Sequence, residues 1–171
     1  PQLKKLERLK KLNLYALKNF NEIDFIFLLS LLIIDGTDNT DYFFYKFNIS
    51  KKDQKRVKKI DLFYKEKINI KSFNKKILNK IFYFDGKQAV IDILNFRIFT
   101  SNKVEKNLIE IVKIYQNKQI PNIPVSASNL MIKYNIPEGR LLGSKLKILK
   151  QIWVENDFVI TEKQIEKIIK N

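Results

Sequence analysis

The densest chemistry in the sequence is cationic. Lys51, Lys52, Lys55, Arg56, Lys58 and Lys59 fall within nine residues. On a helix Lys51, Lys55 and Lys58 share one line and Lys52, Arg56 and Lys59 the adjacent one, with Val57, Ile60 and Phe63 or Tyr64 opposite. Like charges this close repel, and a row of phosphates is the counterpart that relieves them. The plainer alternative is a solvated face in a lysine-rich protein. Lys51, Lys52, Lys55, Arg56 and Lys59 are the residues expected to hold a nucleic-acid backbone.

A second cationic place is the turn Ile136-Pro137-Glu138-Gly139-Arg140-Leu141-Leu142-Gly143. A glycine at a helix N-terminus lets a phosphate approach backbone N–H groups, with Arg140 placed to add charge, and Arg140 and Lys145 are expected to form a secondary RNA-binding patch. The turn resembles a helix-hairpin-helix, which grips nucleic-acid backbone in this manner. Glu138 stands where the phosphate would go, so the preferred reading is that Gly139 and Gly143 let two helices pack closely.

The remaining chemistry is sparse. The chain has no Cys and no His, which removes thiolate nucleophiles, imidazole acid–base catalysis and nearly every zinc site. Two acidic pairs, Glu22/Asp24 and Glu155/Asp157, have the donors for Mg²⁺, but they flank helix ends and read as caps or surface charge. No phosphate-cradling Gly-rich loop is present, so neither a metal nor a cofactor is expected in this chain. Exposed aromatics would stack bases, yet most of the 13 Phe and 7 Tyr must be core, and the sequence marks none as exposed.

The net charge is +15, which attracts polyanions. Abundant Lys, Asn, Ile, Tyr and Phe with only four Arg is the mark of AT-rich coding, so part of the basicity is compositional. Its distribution is uneven. Residues 21–49 carry one positive and five negative charges, whereas residues 50–84 carry twelve positive and three negative. That clustering favours an anion-facing surface.

The elements that must position these groups are helical. Leu3, Leu6, Leu9, Leu12, Leu14 and Leu17 place a stripe on a helix over about 2–19. Asn21 or a neighbour caps a second helix ending at Asp35-Gly36. Asp38 to Phe47 predicts a short helix whose Tyr42, Phe43, Phe44, Tyr45 and Phe47 are crowded enough to be buried. Ser50 with Asp53 makes a capping-box-like start to a helix reaching about Lys65. Further helices are expected from about Ser72 to Phe84, from the Asp85-Gly86 break to about Phe99, and after Ser101, where Val104, Leu108, Ile111 and Tyr115 share a face.

Pro121-Asn122-Ile123-Pro124 reads as a rigid extended connector. The expected division is a helical body over 1–120 and a helical C-terminal tail over 121–171. In the tail, Ser126 caps a helix to about Tyr134. Pro137 lies near the first turn of a long helix striped by Leu142, Leu146, Leu149 and Trp153 and widened by Leu141, Ile148 and Ile152. Thr161 and Glu162 open the last helix, to Lys170. The expected fold class is all-α, a compact bundle of about nine or ten helices with little or no sheet.

The apolar run from Phe25 to Ile34 is too short to cross a bilayer, and Pro1 to Lys18 does not look like a signal peptide. A cytoplasmic location with no membrane partner is expected, in keeping with the absence of Cys. The opening Pro fits either a processed Met-Pro start or a piece of a longer chain.

One segment brings a family to mind: Pro124-Val125-Ser126, Leu130, Ile136-Pro137, Gly143, Leu146, Trp153 and Asp157-Phe158, in that order. It resembles the C-terminal end of bacterial tRNA nucleotidyltransferases (CCA-adding enzymes) and their poly(A) polymerase relatives. Those carry a Pro-Val-Ser-Gly-x-Asp-Leu start, a Gly-Ile-x-Pro-Gly-x-x-x-Gly turn and a Trp shortly before Asp-Phe. Ala127, Asn129 and Asn135 depart from that pattern, and Gly139 comes one place late. Leu3 to Leu12, Asp24 to Ile34 and Ser50 to Lys59 are similar, less specifically, to the helical middle of the family.

The resemblance implies an all-helical body and tail that position tRNA. The family's catalytic head, with its Gly-Ser loop, Asp-x-Asp metal pair and nucleotide-selecting helix, has no counterpart in this sequence. On this reading Mg²⁺ and ATP or CTP belong to a head in the same parent protein or on a separate chain. This chain is then an RNA-binding part of a tRNA-processing transferase and is expected to be inactive alone. The rival expectations are a helix-hairpin-helix-like DNA-binding module and a non-catalytic structural or interaction fragment.

Overall fold

The computed structural model describes residues 24–66, 73–101 and 106–170. Among them are nine helices and no strand, so the fold is all-α: α1 (Phe25–Ile33), α2 (Asn39–Phe47), α3 (Lys51–Lys65), α4 (Lys75–Asp85), α5 (Lys87–Thr100), α6 (Lys106–Asn117), α7 (Ala127–Tyr134), α8 (Arg140–Glu155) and α9 (Glu162–Lys170). The expected leucine-striped helix over 2–19, the Asn21 cap, Glu22, Ser72 and Val104 lie outside the described residues. No helix among those described is long and apolar enough to cross a membrane.

Local chemistry sets the helix ends. Asp24 accepts from the Ile26 and Phe27 N–H groups to open α1, Ser50 from Asp53 to open α3, Asn74 from Ile77 to open α4, and Ser126 from Asn129 to open α7. Gly86, at φ 92°, stops α4 in a backbone region that side-chain-bearing residues avoid. Asn48 and Asn135 end α2 and α7 in the left-handed conformation.

The chain divides into two compact units. The first holds α1, α2, α3, α5 and α6. Its core joins Phe27, Leu31 and Ile34 to Phe44, to Val57 and Ile60, and to Phe96 and Phe99. Helix α6 packs on α5 and turns Leu108, Val112 and Tyr115 inward. The second holds α4, α7, α8 and α9, with α8 in contact with the other three. One part of its core consists of Val125, Leu130, Ile136, Leu142, Leu149 and Ile165. The sequence reading put α4 with the body, whereas its contacts put it in the unit that follows residue 118. A pattern read along the chain does not register a non-contiguous unit.

Two expectations about buried faces are corrected. Of the α2 aromatics only Phe44 is buried and Phe43 is half-buried; Tyr42, Tyr45 and Phe47 are exposed. Thr40 and Phe44, four apart, take the inward side of a nine-residue helix, which has no room for five rings. On α8, Leu142, Leu149 and Trp153 are buried and Leu146 half-buried, but Leu141 and Ile148 face outward and do not widen the stripe.

Candidate nucleic-acid interface

Helix α3 turns Val57, Ile60 and Asp61 inward. Its opposite face carries Lys51, Lys52 and Lys55, all exposed, with exposed Leu62 beside them. Among the described residues these three lysines form no ion pair. They occupy the first two turns, the positive end of the helix dipole and the worse end for a cation. Asp53 is the acidic residue of that first turn, and it accepts a hydrogen bond from Ser50 Oγ at 2.6 Å.

Arg56 does not belong to that surface. Its Nε and Nη2 donate to the two carboxylate oxygens of Asp92 on α5, at 2.5 and 2.8 Å, and Nη2 lies 2.6 Å from Asp24 Oδ2. Asp92 is 1% exposed and also accepts from Gln88 Nε2 at 2.9 Å. The bonds to Asp92 raise the Arg56 pKa above its ordinary value against the opposing effect of burial. Burial pushes the Asp24 carboxyl up, but the Arg56 bond and the Phe27 and Ile26 amides outweigh it, and the carboxyl titrates below its usual range. The expected phosphate contact of Arg56 gives way to an internal clamp on α1, α3 and α5.

Several neighbouring cations are also occupied. Lys58 pairs with Asp41 of α2 at 2.8 Å and lies over the Phe44 ring. Lys65 pairs with Asp61 one turn back, which raises its pKa. Lys59 is half-buried.

In the second unit Arg140 is exposed at the start of α8. Lys145 is half-buried, and its Nζ donates to the Ile168 carbonyl at 2.7 Å, closing the end of α9. Five positions apart, the two diverge by about 140° around the helix and do not form the expected common patch. Gly139, at φ 143°, holds a backbone conformation close to glycine-only. A Cβ added at Gly139 or Gly143 meets nothing within 4 Å. Neither glycine therefore serves the close helix packing expected of it.

The described members of the acidic pairs, Asp24, Glu155 and Asp157, are counter-ions. Glu155 takes Lys76 at 2.7 Å and Lys80 as well, and these bonds hold its carboxyl down to about 2. Asp157 takes Lys75 and accepts from Asn79 Nδ2 at 2.9 Å. Three lysines of the basic stretch over 50–84 are thus neutralised inside the second unit. Among the described residues no group of three His, Cys, Asp or Glu is placed to hold a metal ion.

The Trp153…Asp157-Phe158 motif has a structural role. Asp157 and Phe158 both adopt left-handed backbone, at φ 57° and 64°. This turns the chain so that the Phe158 N–H donates to the Trp153 carbonyl at 2.8 Å. The Phe158 ring then stands 5.1 Å from Trp153, edge-on, with Tyr83 of α4 5.3 Å from Trp153.

The reading by sequence missed Tyr42, Tyr45, Lys46 and Phe47 as surface residues. For Tyr42, Tyr45 and Lys46 the signal was present, because a 3.6-residue period places Thr40 and Phe44 on one side and these three on the other. Phe47 falls on the Phe44 side by period, yet at the last residue of the helix it is exposed. No family model matches the chain, and no curated protein matches it.

Proposed function

We propose that this chain is the RNA-holding helical part of a tRNA nucleotidyltransferase or poly(A) polymerase-like system, positioning tRNA for CCA or A addition by a catalytic head outside it. The observation that carries the reading is the exposed lysine face of Lys51, Lys52 and Lys55, without ion-pair partners among the described residues. Lys58, Lys65, Lys75, Lys76, Lys80 and Arg56 of the same basic stretch have carboxylate partners, whereas these three face water close together on one side of one helix. Phosphates relieve both their mutual repulsion and their conflict with the helix dipole.

The narrowing from polyanion to tRNA comes from the resemblance over residues 123–158. Mg²⁺ and the nucleotide triphosphate are assigned to the head, and this chain supplies backbone binding and shape.

The test is binding of labelled tRNA and of duplex DNA with the same number of phosphates, across a salt series. Preferential tRNA binding with a steep salt slope is expected. Weak, equal binding to both overturns the reading. A preference for duplex DNA also overturns it and points instead to the Gly139–Arg140 turn.

A further inference from the structure

We infer that the exposed aromatic face of α2 stacks unpaired nucleotides of the RNA whose backbone the α3 lysines hold; this rests on the RNA-holding reading above. Tyr45 is 88% exposed, Tyr42 62% and Phe47 56%. Single apolar residues scattered over a surface need no partner, but Tyr42 and Tyr45 share one face of a nine-residue helix, about 60° apart, and exposed Phe47 stands at its last residue on the Phe43 side, so together they mark a contact surface. The Lys46 Nζ sits 5.9 Å from the centre of the Tyr42 ring and 5.8 Å from that of Phe47, which sets a cation among the rings. Phe43 and Phe47 lie 4.4 Å apart with their planes 33° from parallel, so the ring at the end of the helix is braced.

The position of this face selects its occupant. Phe47 and Lys51 are four residues apart in sequence, so their Cα atoms lie within about 14 Å of each other. The end of α2 that carries Tyr45, Lys46 and Phe47 therefore runs directly into the lysines of α3. Cations outweigh carboxylates there. Asp41 is held by Lys58 and Asp38 lies at the other end of α2, which leaves Asp53, bonded to the neutral Ser50 hydroxyl, as one negative charge beside Lys51, Lys52 and Lys55. Aromatic rings interleaved with cations match a ligand that has flat π-faces joined by phosphates. In a duplex those π-faces are already stacked, so the substrate class is single-stranded RNA: a loop, a bulge or an unpaired end, held with little sequence preference.

The experiment uses the full chain with two RNA probes of equal phosphate count, an oligouridylate single strand and an RNA duplex. The pair Tyr42→Ala/Tyr45→Ala is expected to weaken single-strand binding roughly fivefold or more and to leave duplex binding unchanged. Tyr45→Phe retains the ring and is expected to bind as the parent does. The pair Lys52→Glu/Lys55→Glu is expected to weaken both probes. If the alanine pair binds the single strand as well as the parent while the lysine pair loses both probes, stacking is wrong and the lysine reading stands. If the lysine pair loses neither, the reading beneath it fails. Loss of self-association by the alanine pair in sedimentation, with RNA binding intact, overturns the inference in favour of a second copy of this chain.

Discussion

Arg56 grips Asp92 through two side-by-side hydrogen bonds, joining residues 36 positions apart, while its Nη2 also reaches Asp24. A planar guanidinium is the one side chain that can serve both oxygens of a carboxylate in this way. Arg56→Ala leaves the buried Asp92 charge without its cation. A loss of about 3–5 kcal/mol is expected, read as a fall in the urea midpoint. Arg56→Lys is expected to recover only part of it, because an ammonium lacks the fork. A loss below about 0.5 kcal/mol, ordinary for a surface substitution, would show that the clamp is not structural.

The two glycines of the α8 turn are expected to respond in opposite directions. Gly143 lies within the helix with open space where a Cβ would go, so Gly143→Ala is expected to stabilise by about 1 kcal/mol. Gly139→Ala has the same open space but the wrong backbone, and is expected to destabilise by about 1–3 kcal/mol. Thermal unfolding of the two variants checks the signs. Two changes of the same sign would contradict the assignment of Gly139 to backbone conformation.

Lys76 and Lys80 hold Glu155 at about 2, against an ordinary 4.5. A carboxyl depressed by folding contributes stability that is complete above the unfolded value and is lost as pH falls through the folded one. Stability is therefore expected to decline from about pH 4.5 toward pH 2, and Asp24 and Glu162, also lowered, add to it with the same sign. Glu155→Gln is expected to flatten that decline while costing stability at pH 7. Urea midpoints at pH 7, 4 and 2.5 measure it, and a variant profile parallel to the parent's would refute it.

What the sequence made legible was local. The Ser50 and Ser126 caps and the Gly86 break are set by residues within one turn of the helix end, and they lie where the spacing predicts. The all-α class follows from the same periodicity. What remained hidden was the choice of partners. Nothing near Arg56 in the chain points to Asp92, although Ile60, four residues on and buried, shares its face and signals that this line turns inward. Likewise Lys75, Lys76 and Lys80 counted toward a basic surface because Glu155 and Asp157 are about 80 residues away along the chain. The period of α2 marks Tyr42 and Tyr45 as surface residues, whereas it sets Phe47 beside the buried Phe44 and does not reveal the exposure of that last ring.

The measurement that bears most directly on the central claim is the salt dependence of tRNA binding by the parent and by Lys51→Glu, Lys52→Glu and Lys55→Glu, taken singly. Their side chains face water and support no core contact, so the folded state is expected to persist in each. Each reversal is expected to weaken binding to all tRNAs about equally and to shallow the log–log salt slope by roughly one. Slopes and affinities identical to the parent's in all three variants would contradict the claim that this face of α3 holds the RNA backbone.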